Sequence, residues 1–586
     1  MKRFLLRALA VVGALSIVSC IAGSVFLISL FQNEAELPST IVLDLDLDRK
    51  LPESGANNGG PTASLMKEAA GLREIVQALD RAREDPRVRG VVARLNGDVL
   101  GFAQTQELRA AVARFRASGR FAYAYSDSFG EFAPGNKSYY LASAFDEVWM
   151  QPQGVLGLTG LSAEVPFARP ALDKLQVIPD IDHREEYKSA METLTEGGFS
   201  KPHREMMESL LSDLTQQMVE GIAADRKQEP TAIQAALDRG PLLDQETVTA
   251  KLVDRLDYYD VLMETAEKRA GEDAEMVDVG AYLDDLGPLS EQGGPTIAVI
   301  YGLGVIQRGE NNGDSGVGEM IMGADAIASA FEDAVNDEDV RAIVFRIDSG
   351  GGSVVASETI RRAVVRAREA GKPVIASMGD AAASGGYWIA LAADRIIAQP
   401  GTLTGSIGVF AGKIVLGEFW RSLGVHWESI EKGRNAEIWS DIRPYSETGR
   451  ARLKAMLDSV YSTFVAKVAE ARHISVEEVR KIAKGRVWTG RQAVKIGLVD
   501  ELGDFNLALV RAREAIGLAP DDEIVLEVFP PSRTLLEQAL DLVFGRNQTN
   551  SGVLLSLQPI LARLRPLLAI GAADHAVQMP PTGLLP

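Results

Sequence analysis

The sequence predicts an α/β fold that occurs twice in tandem behind one N-terminal membrane helix. Short β-branched runs alternate with stretches of helical periodicity, which is typical of a parallel sheet covered by helices. Similar segments also recur after about 250 residues, so the chain contains two copies of one unit. Before the first copy, residues 8–31 form an uncharged run of 24 residues.

The two copies are recognised by three pairs of similar segments, at offsets of 252, 248 and 246 residues. The pairs are Asp85–Leu95 with Asp337–Ile347, Tyr140–Asp146 with Trp388–Asp394, and Ala250–Leu256 with Ile496–Leu502. Small loop insertions and deletions account for the drift in offset. The Gly/Pro-rich stretch Gly287–Pro295 is the predicted linker between the copies.

Individual elements follow from local patterns. Predicted strands are Ile41–Leu45, Ile297–Tyr301, Ala342–Ile347 and Pro373–Ser377. Predicted helices are Lys201–Ala224, Ala324–Val335, Glu358–Ala370 and Thr448–Arg472, and another begins within Gly386–Ala393.

Composition excludes several classes of function. The net charge of −20 over 586 residues argues against a general nucleic-acid binder, which needs a basic face. The single cysteine, Cys20, excludes an intrachain disulfide framework and cysteine-rich metal sites. The five histidines include no HExxH pair, so a zincin-type site is not expected. If the protein is a hydrolase, its base need not be histidine.

The uncharged run 8–31 predicts a membrane anchor within residues 1–33. As a helix it would span about 36 Å, enough for a hydrocarbon core of about 30 Å. Lys2, Arg3 and Arg7 precede it, so the N-terminus is expected in the cytoplasm and the rest outside. The alternative is a lipoprotein-processing box ending at Cys20, although the apolar run continues for eleven residues beyond it. The intact mass would separate an uncleaved anchor from a lipidated Cys20.

Two glycine-rich segments follow strands in the second copy. These are Asp348–Ser353 and Gly379–Tyr387, and such turns present backbone N–H groups to a ligand. Ser384 lies at the start of the next helix, where a developing negative charge is stabilised. The segments match neither a nucleotide-binding motif nor the GxSxG elbow. They could supply a hydroxyl nucleophile and an oxyanion hole.

The two copies differ at these segments. Ser384 falls opposite Asn136, and Ser349–Ser353 falls opposite Asn96–Leu100. The first copy therefore retains the frame without the Gly/Ser residues, which favours a catalytic over a structural role for them. Because no histidine lies near either segment in the sequence, the remaining common base is lysine. Burial would have to lower its pKa from about 10.4 to about 7–8.

The second segment, Gly379–Tyr387, followed by Gln399–Gly408, resembles the signal peptide peptidase A family in its long, duplicated, 67 kDa-type form. The resemblance covers roughly residues 1–530. It implies a Clp protease/crotonase-like fold and a Ser–Lys dyad whose members come from different copies. Ser384 matches the family's nucleophile, and the context Glu186–Ala190 identifies Lys188 as its lysine.

The repeat also bears on the lysine. Near an offset of 246, Tyr187–Ala190 faces Gly433–Ala436, which contains no lysine, so each copy has one member of the dyad. Lys432, close by, is the rival base. Either lysine could instead be an ordinary solvated surface residue.

The resemblance also implies supporting residues. Where the family usually has Ser-Pro-Gly-Gly-Ser, this chain has Ser349–Ser353, but Gly351 and Gly352 match the family's glycines. Gly351, Gly352 and Gly385 are the oxyanion-hole candidates, principally through the N–H groups of Gly351 and Gly385. Ser406 is expected to orient the lysine.

The predicted organisation is therefore an anchor in 1–33, a repeat in 38–286 that supplies the lysine, a linker in 287–295, and a repeat in 296–530 that supplies the serine. The tail 531–586 contains the apolar stretch Val553–Ile570, which could lie on the membrane, on another subunit or on its own domain.

The resemblance implies a serine endopeptidase in the bacterial inner membrane with periplasmic catalytic domains. Its expected partners are signal peptides, other apolar peptides and three further copies in a homotetramer, with no nucleic acid, metal or nucleotide cofactor. A crotonase-like acyl-CoA enzyme and a non-catalytic membrane scaffold are the alternatives. Covalent labelling of Ser384 would exclude the first, and peptide turnover would exclude the second.

Overall fold

The computed structural model describes residues 37–54, 70–271, 273–287, 293–311, 320–530 and 576–578. The predicted anchor 8–31, most of the predicted linker (288–292) and the apolar stretch 553–570 lie outside these residues. Among the described helices, none combines the length and apolarity needed to cross a membrane.

The first half contains nine strands and ten helices among its described residues. The strands are β1 Thr40–Asp46, β2 Val88–Arg94, β3 Phe121–Ser126, β4 Glu147–Met150, β5 Val155–Leu156, β6 Ile178–Arg184, β7 Leu242–Leu243, β8 Arg255–Leu256 and β9 Ala274–Asp278. The helices are α1 Leu72–Ala82, α2 Phe102–Ala117, α3 Asn136–Ala142, α4 Arg169–Lys174, α5 Glu192–Thr195, α6 Lys201–Arg226, α7 Pro230–Arg239, α8 Asp244–Thr249, α9 Tyr259–Ala270 and α10 Val279–Leu286.

The second half repeats this alternation. Its described strands are β10 Thr296–Leu303, β11 Val305–Gln307, β12 Ile321–Gly323, β13 Val340–Ser349, β14 Gly351–Ser353, β15 Val374–Ala383, β16 Arg395–Ala398, β17 Leu403–Gly405, β18 Val409–Val415, β19 Val487–Thr489, β20 Glu501–Leu502, β21 Val525–Phe529 and β22 Ala576–Gln578. Its described helices are α11 Ala324–Asn336, α12 Val354–Glu369, α13 Gly385–Ala390, α14 Gly417–Ser422, α15 Glu447–Arg472, α16 Val476–Ile482, α17 Gly490–Lys495 and α18 Phe505–Ala515.

The two main sheets have the same strand order. The first runs β8-β4-β3-β2-β1-β9, and the second contains the path β20-β16-β15-β13-β10-β21. Every pair on these two paths is parallel. The second sheet adds β17 beside β15, with β19 antiparallel to β17. The predicted α/β class is confirmed, and the matching order supports the predicted duplication.

Burial explains why the central strands contain continuous apolar runs. A parallel sheet has helices on its faces, so both sides of a central strand must be apolar. Ile41, Val42 and Leu43 in β1 are all fully buried, as are Ile297 to Ile300 in β10. Burial of each isoleucine, valine or leucine among them stabilises the fold by about 1.5–3 kcal/mol. The strand predictions succeeded because these apolar runs are short and rich in β-branched residues.

Matching helix caps begin the long helices of the two repeats. The Ser200 hydroxyl accepts a hydrogen bond from the His203 N–H at the start of α6, and the Ser446 hydroxyl accepts one from the Gly449 N–H at the start of α15. Each cap satisfies a backbone donor that the first helical turn leaves unpaired. The two helices are 26 residues each, close to their predicted bounds.

An antiparallel ribbon joins the repeats. Strand β6 of the first repeat pairs with β18 of the second from Ile178 opposite Val415 to Arg184 opposite Val409. The chain leaves β6 directly toward Lys188, while β18 follows the loop that carries Ser406. The ribbon therefore brings segments far apart in the sequence to one place.

Candidate active site

Ser384 stands between a strand and a helix of the second repeat. It follows β15 and is the cap residue of α13, with a φ of 56° and a ψ of −115°. A positive φ is unusual for serine and marks a constrained turn. The Ser384 N–H donates to the Gly405 carbonyl oxygen over 2.8 Å, and the side chain is buried. The turn thus fixes the hydroxyl at the carboxyl end of the sheet.

Lys188 reaches this hydroxyl from the first repeat. It lies in the coil between β6 and α5, and its side chain is only 1% exposed. Its Nζ is 2.8 Å from Ser384 Oγ, although 196 positions separate the two residues. The predicted serine and lysine are therefore hydrogen-bonded to each other across the two repeats.

Ser406 contacts the same amine twice. Lys188 Nζ lies 2.9 Å from the Ser406 carbonyl oxygen and 2.9 Å from Ser406 Oγ. A neutral amine has two N–H donors and one lone pair. If the donors serve these two oxygens, the lone pair points to the Ser384 hydroxyl, so the geometry suits a base that accepts the serine proton.

Burial also adjusts the basicity of Lys188. Removal of the ammonium group from water disfavours its charged form and lowers the pKa of Lys188 from 10.5 to about 7. A pKa near neutrality gives a large fraction of neutral amine at physiological pH, which a general base requires. The rival lysine, Lys432, is exposed and therefore lacks this environment.

The glycine candidates meet beside Ser384. Gly351 and Gly352 lie in β14 at φ values of 106° and 158°, and Gly385 opens α13. A Cβ at Gly385 would lie 3.1 Å from the Gly352 nitrogen and 3.2 Å from Gly351 Cα. The three predicted glycines therefore form one small backbone cluster next to the serine.

One donor of this cluster is already engaged. The Gly351 N–H donates to Ser349 Oγ over 3.1 Å, and that hydroxyl donates to the Gly304 carbonyl oxygen over 2.6 Å. An oxyanion must share or replace the first of these bonds to reach Gly351. Ser349 thus holds the glycine turn in place, a role that the sequence pattern did not predict.

Gly485 is a further residue of the site that the sequence pattern did not predict. It has a φ of 75°, and a Cβ there would lie 2.5 Å from the backbone nitrogen of Lys188. The preceding residue, Lys484, accepts a hydrogen bond from the Tyr187 N–H through its carbonyl oxygen. This loop of the second repeat therefore packs directly on the backbone of Lys188. Nothing in the sequence connects the two segments.

Two stretches of the chain, residues 131–273 and 366–519, match the model of peptidase family S49. Protease 4 of Salmonella typhi is 32% identical over 526 residues, which cover 87% of this chain and 82% of that protein. The chloroplastic serine protease SPPA of Arabidopsis thaliana is 28% identical over 502 residues, covering 84% and 73% of the two chains.

Among solved structures, a point mutant of ClpP1 from Listeria monocytogenes aligns with a TM-score of 0.23 at 16% identity, covering 36% of this chain and 94% of that chain. A TM-score this low does not establish a shared fold, so the likeness to Clp protease and crotonase folds stays a prediction. The family match and the similarity to Protease 4 over most of both lengths do decide the family: this chain belongs to peptidase family S49, a family of serine-type peptidases.

Proposed function

We propose that Ser384 is the nucleophile and Lys188 the general base of this peptidase. The observation that carries the proposal is the contact of 2.8 Å between Lys188 Nζ and Ser384 Oγ in a buried site. In this proposal the repeat within 38–286 supplies the base and the repeat within 296–530 supplies the nucleophile. Neither repeat is expected to hydrolyse peptides by itself.

The reaction proceeds through an acyl-enzyme. Neutral Lys188 accepts the hydroxyl proton while Ser384 Oγ attacks the scissile carbonyl carbon. The N–H groups of Gly385 and, once released by Ser349, Gly351 stabilise the resulting oxyanion. Lys188 then transfers the proton to the leaving amine as the C–N bond breaks. Water, deprotonated by Lys188, attacks the ester carbonyl carbon. The C–O bond to Ser384 then breaks, and Lys188 returns the proton to Ser384 Oγ as the acid leaves.

Ser406 orients the lysine in this scheme. Its two oxygens accept the N–H bonds of the neutral amine and keep the lone pair directed at Ser384. The same oxygens accept from the ammonium form after proton transfer, so the amine need not move during the cycle. Such fixed geometry lowers the reorganisation that the reaction requires.

The proposed substrates are extended apolar peptides, in particular cleaved signal peptides. The resemblance to signal peptide peptidases supports this class. Burial of both Ser384 and Lys188 also supports it, because a folded surface could not reach them. We further propose that residues 1–33 anchor the protein in the bacterial inner membrane, with the repeats in the periplasm and four copies assembled around the sites.

Family membership favours a peptidase over the acyl-CoA enzyme and the scaffold. A fluorogenic apolar peptide tests the mechanism with three variants. Ser384→Ala and Lys188→Ala should each lose nearly all turnover, whereas Lys432→Ala should retain the wild-type rate because its side chain is exposed. Full activity of either dyad variant would exclude the proposed mechanism, and loss of activity in Lys432→Ala would restore the rival base.

A further inference from the structure

The strand that leads to Ser384 contains a bulge. Strands β13 and β15 pair in register as far as Ile347 opposite Met378, and pairing resumes with Ser349 opposite Ala382. One residue of β13, Asp348, therefore faces three residues of β15. A bulge of this kind redirects the residues that follow it, and bulges are common beside active sites.

Side chains of the second repeat hold the two ends of the bulge. Asp348 Oδ1 accepts a hydrogen bond from the Ala381 N–H over 2.9 Å, and Thr402 Oγ1 donates to the Gly379 carbonyl oxygen over 2.8 Å. A Cβ at Gly379 would lie 3.0 Å from Asp348 Cβ, so the close approach favours glycine. Asp348 thus supplies the hydrogen bond that β13 cannot make through its backbone.

The middle residue of the bulge reaches the other repeat. Asp380 Oδ1 accepts hydrogen bonds from the N–H groups of Ala103 and Gln104, over 2.8 and 3.3 Å. These N–H groups lie in the first turn of α2 and have no acceptor within the helix. The cap residue of α2 is Gly101, which has no side chain to accept a hydrogen bond from them. A Cβ at Gly101 would lie 1.7 Å from Asp380 Oδ2, so the aspartate occupies that space. A residue of the serine-bearing strand therefore caps a helix of the lysine-bearing repeat.

We propose that Asp380 and Asp348 are positioning residues that set the location of Ser384 relative to Lys188. The inference rests on the proposed function and deepens it. Asp380 ties the bulge to α2 of the first repeat, and Asp348 fixes the exit of the bulge three residues before Ser384. The position of the first repeat therefore determines where the bulge lies, and the bulge in turn determines where Ser384 lies.

The charges around the bulge indicate which replacement should preserve the contact. Glu53 and Glu107 lie nearby and bind Arg346. Burial and the neighbouring Glu53 raise the pKa of Asp380 to about 6, although the positive charge of Lys137 lowers it. Burial and Asp380 raise the pKa of Asp348. Asparagine at 380 keeps an acceptor oxygen without adding charge, so it should still cap α2.

The test is the rate at which a fluorophosphonate probe labels Ser384 in the full-length protein. Asp380→Ala should slow labelling by about tenfold to 100-fold, because a displacement of about 1 Å has effects of that size. Asp380→Asn should restore most of the rate.

Asp504→Ala is the matched control. Asp504 also caps a helix, through the Leu507 N–H in α18, and also binds the other repeat, through Arg114. It does not lie on the serine-bearing strand. Asp504→Ala should therefore lower the melting temperature much as Asp380→Ala does, while its labelling rate stays close to that of the wild type.

Labelling of Asp380→Ala at the wild-type rate would overturn the inference, and so would an Asp380→Asn variant as slow as Asp380→Ala. If Asp380→Ala does not fold, Gly101→Ala replaces it, because its Cβ displaces Asp380 from the first repeat. Gly101→Ala should then label slowly, and a wild-type rate would be contradictory. If the wild type itself is not labelled at Ser384, the proposed function fails instead, so the two failures are distinguishable.

Discussion

At the scale of the residue, the site depends on how the Lys188 amine is kept neutral and how its lone pair is directed at Ser384. Burial lowers its pKa to about 7, and Ser406 offers two oxygens to its N–H groups. Both effects are needed, since an amine without acceptors would be free to rotate away from Ser384. The orientation of the lysine in the first repeat therefore depends on Ser406 of the second repeat.

The pH dependence of turnover follows from this pKa. Protonated Lys188 has no lone pair to accept the serine proton, so the active form is the neutral one. We expect kcat/KM to rise with pH through an apparent pKa of about 7 and then to level off. A profile that falls over this range, or that first rises near the pKa of a free lysine at about 10.4, would contradict a buried neutral base.

Ser406→Ala should reduce kcat by about tenfold and leave KM nearly unchanged, since it removes one hydrogen bond of about 1–1.5 kcal/mol from the base. The Ser406 carbonyl oxygen still holds the amine, so activity is not abolished. Steady-state kinetics on a fluorogenic peptide measure this. Ser446→Ala, which removes the α15 cap, is the control for simple destabilisation and should retain kcat. A change in KM alone would show that Ser406 acts on substrate binding.

At the scale of the element, the β6–β18 ribbon and the loop after α16 hold the lysine segment. Gly485 in that loop has a φ of 75° and lies against the Lys188 backbone. The local turn can therefore not take a side chain without moving the base. This contact is between elements of different repeats, so local sequence patterns do not reveal it.

Gly485→Ala should lower both stability and activity. Its Cβ would lie 2.5 Å from the backbone nitrogen of Lys188 and 2.7 Å from Lys188 Cβ, so Lys188 must move. Gly497→Ala is the matched control because Gly497 has a similar φ of 77° and open space around it. Both variants should melt at lower temperature through backbone strain, but only Gly485→Ala should lose turnover. Equal turnover in the two variants would mean that the loop does not position Lys188.

At the scale of the whole molecule, a buried ion cluster joins the two repeats. The guanidinium of Arg346 in β13 binds Glu53 over 2.7 Å and Glu107 over 2.8 Å, and both carboxylates belong to the first repeat. All three side chains are buried. Arg346 is therefore the cationic partner of two acids from the other repeat, so its removal should weaken the contact between the repeats.

Arg346→Met should destabilise the protein by about 3–5 kcal/mol, because it leaves two buried carboxylates without their cationic partner. The loss should be smaller at pH 5 than at pH 8, since burial raises the pKa of Glu107, and this carboxyl becomes neutral in the folded state when it binds a proton at low pH. Chemical denaturation at both pH values measures this. Lys484→Met, which removes the exposed pair with Glu186, should leave stability close to that of the wild type. Equal losses in the two variants would contradict a structural role for the cluster.

Much of this architecture could be predicted from the sequence because the strands are buried on both faces and the repeats retain similar segments. Ser384 and Lys188 were identified from a glycine-rich turn, from a difference between the repeats and from a family resemblance. Gly485, Asp380 and the Arg346 cluster were not, because each acts on a residue more than 200 positions away in the sequence or in the other repeat. Charge and glycine content alone do not specify such partners.

The central claim is that a serine from one repeat is activated by a lysine from the other. The most direct measurement is the rate of fluorophosphonate labelling as a function of pH, in the wild type and in Lys188→Ala, with the modified residue identified by peptide mass. The account predicts that Ser384 alone is labelled, at a rate that rises through pH of about 7 in the wild type and stays low and flat in Lys188→Ala. Labelling of another residue, or an unchanged rate and pH profile in Lys188→Ala, would contradict it.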